Sequence, residues 1–256
     1  MKIYLHQFMT RTGLFKSKQE VIDEIRSGTV FIKDKPNTNP YYQFASNKPV
    51  TWKGKQVNML DDKIYLIINK PEGYLSTRLS ETDKKLGKKS VYDLIDLPQD
   101  KKNTLFGAGR LDEDTSGLLF ITNDGKLCIY CSSPGNVTKT YRAALSKEVT
   151  EKDMKKIQDG VTIKLEVNGV YEEYKTKPAQ VKKISDKEVE LVMEEGKKRE
   201  VRRIFEAIGN HVDSLVRVAI GSLKLSDLGL AKGKYKLMDR KTLEQNFKKK
   251  EDTHKS

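Results

Sequence analysis

This 256-residue chain is poor in the residues that most often build metal, redox and charge-relay sites, with two cysteines and three histidines. Cys128 and Cys131 form a single C-x-x-C pair. A zinc site needs more ligands than that, and a redox pair would want a thioredoxin-like context. Both thiols are expected reduced, one turn apart on the helix after Asn123-Asp124-Gly125. His6, His211 and His254 are too scattered for a triad or a metal site and are read as structural, so no metal is expected. No apolar run approaches a membrane span, and the N-terminus has no signal-peptide core. The mean hydropathy of −0.66 agrees with a soluble protein, and a cytoplasmic one without a membrane partner is expected. Neither a dinucleotide fingerprint nor a phosphate loop is visible, and a methyltransferase's glycine-rich turn is missing as well.

Positive charge is plentiful. Lys+Arg of 49 against Asp+Glu of 36 gives +13, with a pI near 9.4. Such a surface favours a polyanionic partner, most simply nucleic acid. A lysine-rich proteome would produce the same balance with no such partner. Arginine, however, is scarce, yet Arg110, Arg142, Arg199, Arg202 and Arg203 all fall in or beside the segments singled out below. Arginine suits forked contacts with carboxylate or phosphate.

The length suggests one large or two small domains. Residues 1–58 read as a small separate unit. Tyr4, Leu5, Phe8 and Met9 make a short helical stripe. Ser17-Lys18-Gln19-Glu20 fits a capping box for a second helix with Val21, Ile22 and Ile25 on its apolar face. Gly28 supplies its stop. Thr29–Ile32 reads as a strand, and Val50-Thr51-Trp52 with Gln56-Val57 flank a tight turn at Lys53-Gly54-Lys55. Arg11, Lys16, Lys18 and Arg26 are candidate RNA contacts.

Residues 61–247 read as a larger body, and 248–256 as a charged, disordered tail. Ile64–Ile68 is an apolar strand leading to Asn69-Lys70-Pro71-Glu72-Gly73. The lysine-rich stretch 79–103 is expected to be a surface loop with a short helix. Thr140–Leu145, Val161–Lys164, Thr176–Val181 and Glu188–Met193 read as strands, and 150–158 as an amphipathic helix with Met154 and Ile157 inward.

Two segments stand out. In Gly109-Arg110-Leu111-Asp112-Glu113-Asp114-Thr115-Ser116-Gly117, a glycine-bounded polar loop presents a carboxylate ahead of the apolar run Leu118–Ile121. That is how many catalytic residues are displayed. Further on, Val201, Ile204, Phe205 and Ile208 define the buried face of a helix. Arg199, Arg202 and Arg203 lie beside that face, where cations at a helix start oppose the macrodipole. An unfavourable local choice often marks a functional site. A solvated face would carry the same arginines.

Behind an N-terminal unit that resembles the S4 RNA-binding domain, three motifs follow in order. They are Asn69-Lys70-Pro71-x-Gly73, Gly109-Arg110-Leu111-Asp112-x-Asp114-Thr115-Ser116-Gly117-Leu118, and Arg199-Glu200-Val201-Arg202-Arg203-Ile204-Phe205. Together they resemble the bacterial ribosomal RNA pseudouridine synthases of the RsuA/RluB/RluE/RluF type. The chain departs from them where that family often has Asn-Arg-Gln, with Lys198-Arg199-Glu200 instead. Tyr4 and Gln7 stand where the S4 domain usually has basic residues, which leaves fewer bidentate phosphate contacts.

The resemblance implies an α+β protein: an S4-like module, then a catalytic domain on a mixed, mainly antiparallel sheet with flanking helices. It implies an isomerase that breaks the N-glycosidic bond of a uridine in RNA, turns the uracil, and joins C5 to C1′. Substrate and product have the same atoms, so no cofactor is implied. The partner would be RNA, ribosomal RNA first, and the protein a monomer. By resemblance Asp112 is the essential carboxylate, acting as nucleophile or as base. Arg202 would pair with it and lower its pKa, Tyr141 would stack on the flipped base, and Val201 would close the other face. Lys70 and Arg110 are candidates for substrate contact through a phosphate or for fixing the loop, and Arg203 for substrate contact, while Asp114, Thr115 and Ser116 would shape the loop through side-chain hydrogen bonds to backbone. Two other readings compete. One is a non-catalytic RNA-binding or ribosome-assembly factor. The other is a hydrolase using Asp112 and Asp114 as a carboxylate pair.

Overall fold

The computed structural model describes residues 2–167 and 169–248, so most of the expected tail lies outside the described residues. Two compact units emerge.

The first comprises residues up to Ile64 together with Ile95–Phe106. It contains β1 (Lys2–Tyr4), α1 (Leu5–Arg11), α2 (Lys18–Arg26), β2 (Val30–Ile32), β3 (Lys35–Pro36), β4 (Gln43–Ala45), β5 (Val50–Trp52) and β6 (Lys55–Val57). Ser17 caps α2 by accepting the Glu20 amide at 3.1 Å. The reciprocal half of the expected box is redirected, because Glu20 takes the Lys16 amide at 2.8 Å. Lys53 and Gly54 both have positive φ, 50° and 76°, as a type I′ hairpin turn between β5 and β6 requires. Glu24 ties α2 to this hairpin, accepting Trp52 Nε1 at 2.9 Å and Lys53 Nζ at 3.0 Å. Those hydrogen bonds, the tryptophan's first, hold its carboxyl below the usual range. Leu5, Phe8, Met9, Phe15, Val21 and Ile25 form the core. The expected helical stripe needs one correction. Tyr4 belongs to β1, facing outward beside buried Ile3, and pairs with Gln43 of β4. Lys16, Lys18 and Arg26 are exposed, whereas Arg11 is half-buried, with its Nε buried and unpartnered.

The second unit, Tyr65–Leu94 with the chain from Gly107 on, is built on one large sheet. Its elements begin with β7 (Tyr65–Lys70), β8 (Tyr74–Leu75), α3 (Glu81–Lys85) and β9 (Lys89–Ser90). The chain then forms α4 (Gln99–Thr104) within the first unit, and β10 (Phe106–Gly107). The stretch expected to be one surface loop is therefore divided. Val91, Tyr92 and Ile95 are buried, and Asn103 of α4 donates to the Gly13 carbonyl at 2.8 Å.

Next come β11 (Thr115–Thr122), α5 (Gly125–Ser132), β12 (Lys139–Leu145), α6 (Glu151–Asp159), β13 (Thr162–Val167), β14 (Val170–Lys175), β15 (Gln180–Ser185) and β16 (Glu188–Met193). The chain ends through α7 (Glu200–Ala207), β17 (Val212–Ile220), β18 (Leu223–Lys224), α8 (Leu225–Leu228), β19 (Tyr235–Leu237) and α9 (Arg240–Phe247). The main path of the sheet runs β15-β16-β12-β17-β11-β7-β19. Every pairing along it is antiparallel except β11 with β17. This is the mixed, mainly antiparallel α+β architecture expected. The expected strand Thr176–Val181 is replaced by β14 before it and β15 from Gln180 on. β14 is nearly all exposed, so no apolar alternation marks it. It is held by its ladder to β13.

β11 is buried along its whole length, which explains its unbroken apolar run. One core lies under β12 and β16, where Met154 and Ile157 of α6 meet Val201, Ile204 and Phe205 of α7. The other surrounds Leu118 and Phe120 of β11, with Leu127 and Cys131 of α5 and Phe247 of α9. Cys128 and Cys131 sit on α5 as free thiols, pushed up by burial, Cys128 to about 11. No helix among the described residues is long and apolar enough to cross a membrane.

Candidate active site

The loop between β10 and β11 is held by backbone contacts from several directions. Ser76 Oγ donates to the Leu111 carbonyl at 2.7 Å and accepts the Leu111 amide at 3.0 Å. The Gly73 amide donates to Glu113 O at 2.8 Å, and the Thr115 amide to Asp112 O at 3.1 Å. Lys88 pairs with the Glu113 carboxylate at 2.8 Å. Lys70, fully buried, donates from Nζ to the carbonyls of Pro71 (3.0 Å), Glu113 (3.3 Å) and Thr115 (2.7 Å). It is therefore a clamp for the loop, one of the two roles expected of it, and its burial takes it away from the other, a phosphate contact.

Arg202 departs from expectation. It sits buried on α7, and its fork closes on Asp114 rather than Asp112. NH2 lies 2.9 Å from the Asp114 carbonyl and 3.3 Å from its carboxylate, while NH1 donates to Val212 O at 2.8 Å. Arg199 pairs with the same carboxylate at 3.1 Å. Asp114 is thus neutralised by two guanidiniums and serves as an anchor, which disfavours a shared carboxylate pair. The carboxylate of Asp112 has no ion-pair partner among the described residues. Thr115 and Ser116 do not shape the loop by side-chain bonds, since both hydroxyls are buried and unpartnered.

Asp112 borders a cavity of about 280 Å³ together with Arg110, Thr115, Tyr141, Met193, Glu195, Lys198, Arg199, Val201 and Leu215. The sheet brings Asp112, Tyr141, Val201 and exposed Arg110 to this one place from three separate segments. Arg203 does not line it; its NH1 is buried and unpartnered. The cavity is of the size that takes one nucleoside rather than a duplex.

Reading the sequence missed Arg217. It lies on β17 directly opposite Tyr141 of β12 and Gly117 of β11. Its Nε donates to Leu118 O at 2.6 Å, and NH1 makes a long 3.5 Å contact with the Tyr141 hydroxyl. A single cation inside the apolar strand Leu215–Ile220 was the available signal. Gly117 makes this approach possible. At φ +106° a Cβ there would overlap the amide and carbonyl of Arg217. Gly117→Ala is therefore expected to lower stability by about 3 kcal/mol, strain and overlap together, and to loosen Asp112. Urea unfolding of the variant measures it, and an unchanged midpoint would contradict the close approach.

Glu195 and Glu200 form a buried carboxyl pair on the cavity wall. Burial first, and then the neighbouring Glu195 carboxyl, pushes Glu200 up to about 8. Burial would raise Glu195 too, but the neighbouring Glu200 carboxyl and hydrogen bonds from Tyr174 and the Lys177 amide hold it below its usual value. Near neutrality the pair favours holding one proton between its two carboxyls. A protonated glutamic acid donates a hydrogen bond, as a glutamine side chain would.

A family model described as RNA pseudouridylate synthase matches residues 64–207. The RNA pseudouridine synthase YtzG of Bacillus subtilis is 34% identical, over 91% of this chain and 93% of its own. Ribosomal small subunit pseudouridine synthase A of Escherichia coli is 32% identical, over 83% of this chain and 87% of its own. A crystal structure of a pseudouridylate synthase superposes with a TM-score of 0.65 at 27% identity, covering 94% of this chain and 98% of that one. With its displayed aspartate, aromatic wall and matching fold, the chain belongs to the RNA pseudouridylate synthase family and is an isomerase of uridine in RNA.

Proposed function

We propose that the protein converts a specific uridine of ribosomal RNA to pseudouridine as a cytoplasmic monomer, without cofactor, using Asp112 as the reacting carboxylate. The observation that carries this is the convergence of Asp112, Tyr141 and Val201 on one nucleoside-sized cavity. The target uridine leaves its stack to enter, and stacking on Tyr141 offsets part of that cost. Asp112 acts as nucleophile or base, and either role requires it ionised. Arg110, exposed at the cavity mouth, is placed to meet a phosphate of the flipped nucleotide. Arg202 supports the chemistry indirectly by fixing Asp114, and Arg217 positions the Tyr141 ring.

The first unit is assigned to RNA docking as an S4-like module, through exposed Lys16, Lys18 and Arg26. Relatives named for the small ribosomal subunit make its RNA the first to examine. Pseudouridine mapping of total RNA from cells with and without the gene is expected to show one ribosomal position lost. Loss confined to transfer RNA would overturn the ribosomal assignment.

A further inference from the structure

We propose that the outer face of the β1–β4 ribbon is a stacking platform for unpaired bases of the RNA substrate, formed by Tyr4, His6 and Tyr41. The inference rests on the chain acting on RNA, but it concerns a surface that the chemistry does not use.

Three aromatic side chains lie in a row there. The rings of Tyr4 and His6 are 5.8 Å apart and nearly parallel, with an interplanar angle of 23°. Tyr41 meets His6 edge-on at 5.2 Å. Tyr4 is 37% exposed and Tyr41 56% exposed, so large ring surfaces face solvent. Exposed rings grouped in one place, unlike a single exposed aromatic, offer contiguous faces on which a partner can stack.

The platform is preorganised by backbone contacts. His6 bonds the Pro40 carbonyl through both its amide and its Nδ1, each at 2.9 Å. The Leu5 amide donates to Tyr42 O at 2.9 Å. Side-chain oxygens of Asn37 and Asn39 accept the amides of Asn39 and Tyr41 at 3.0 Å and 2.9 Å, which sets the turn that presents Tyr41. A ring already held in place loses little entropy when a base stacks on it.

Cations flank the row. Lys2 shares the outward face of β1 with Tyr4 and lies opposite Ala45 of β4. The Lys48 amide bonds the Ala45 carbonyl, and the Lys33 amide bonds Pro49 O, which brings the two lysines together. Contact with Lys33 depresses the Lys48 ammonium below its usual value. An aromatic row ending at crowded ammoniums matches a single strand, whose bases stack while its phosphates take up the charge. A duplex offers no free base faces to such a row. Tyr4 also stands where the S4 domain usually places a basic residue, so stacking here replaces a phosphate contact.

The test uses the full chain. Binding of a fluorescent single-stranded RNA 12-mer is compared with binding of an RNA duplex of equal charge. Tyr41→Ala is expected to weaken single-strand binding roughly 10-fold while leaving duplex binding within about 2-fold, and Tyr41→Phe to retain the wild-type value. Circular dichroism confirms folding, since Tyr41 is not in the core. Lys48→Ala should instead reduce the salt dependence of binding to both RNAs. Equal single-strand affinity of wild type, Tyr41→Ala and Tyr4→Ala would overturn the platform even if the enzyme isomerises uridine. A protein that stacks RNA normally but makes no pseudouridine would leave the platform standing and overturn the catalytic reading. If Tyr41→Ala weakens only the association of the chain with another protein, the platform is a protein contact and the inference is wrong.

Discussion

Asp112→Asn is expected to abolish pseudouridine formation while RNA binding stays within about 2-fold of wild type. Amide for carboxylate is nearly isosteric, and the contacts that shape this loop use other atoms. Thr115 bonds the Asp112 carbonyl, Lys70 the carbonyls of Glu113 and Thr115, and Arg202 that of Asp114. The loop should therefore keep its shape. What disappears is a negative charge that can attack the nucleoside or remove a proton. Replacing a residue in such a role costs on the order of 10³-fold or more in rate. Tritium release from RNA containing 5-tritiated uridine measures turnover, and fluorescence anisotropy measures binding. Normal turnover by the variant would sink the assignment of Asp112 as the reacting carboxylate, whereas RNA binding by a wild type that makes no pseudouridine would revive the non-catalytic reading. Release of free uracil by the wild-type protein would instead support a hydrolase.

The second large effect concerns the clamp. Lys70→Met keeps the apolar stem but leaves three carbonyls without their donor. Buried groups left unsatisfied cost about 1–3 kcal/mol each, and removal of a buried charge returns part of that. A net loss of about 3 kcal/mol at neutral pH is expected, with turnover falling because the Asp112 loop loses its anchor.

The pH dependence of this loss has a defined sign. Burial pushes the Lys70 pKa from 10.5 down to about 8, although the carboxylates of Asp114, Glu72, Asp112 and Glu113 favour its charge. Between those two values the unfolded chain binds more protons than the folded one. Lys70 therefore makes the wild type more stable as pH rises from about 8 toward 10.5, and the variant lacks that gain. The difference between the two proteins should widen across this window, by up to about 3 kcal/mol. Urea midpoints at a series of pH values give the comparison. Parallel curves for wild type and variant would show that Lys70 titrates as an ordinary surface lysine.

Much of the local structure was legible in the chain itself. Ser17 announces α2, Lys53-Gly54 the β5–β6 hairpin, and the spacing of Val201, Ile204 and Phe205 the buried face of α7. These are interactions among residues a few positions apart, so their information is local. The motif around Asp112 likewise identified the carboxylate that borders the cavity. β14 escaped notice because an exposed strand held by a single ladder need not alternate.

What the sequence by itself determined, then, was the α+β plan, the loop that displays Asp112 and the family. The tertiary structure alone decided which charges meet. Arg202 was expected on Asp112 and closes on Asp114 instead. Lys70 was expected either to meet a phosphate or to fix the loop, and its burial among carbonyls gives it the second place. Arg217 reaches Tyr141 because the register of β12 on β17 shifts between Thr140 and Tyr141, which sets the two residues opposite each other, and Gly117 lets β11 come close. A side-chain period shows which face a residue occupies. Its partner across a sheet depends on register and approach, set by packing over the whole domain.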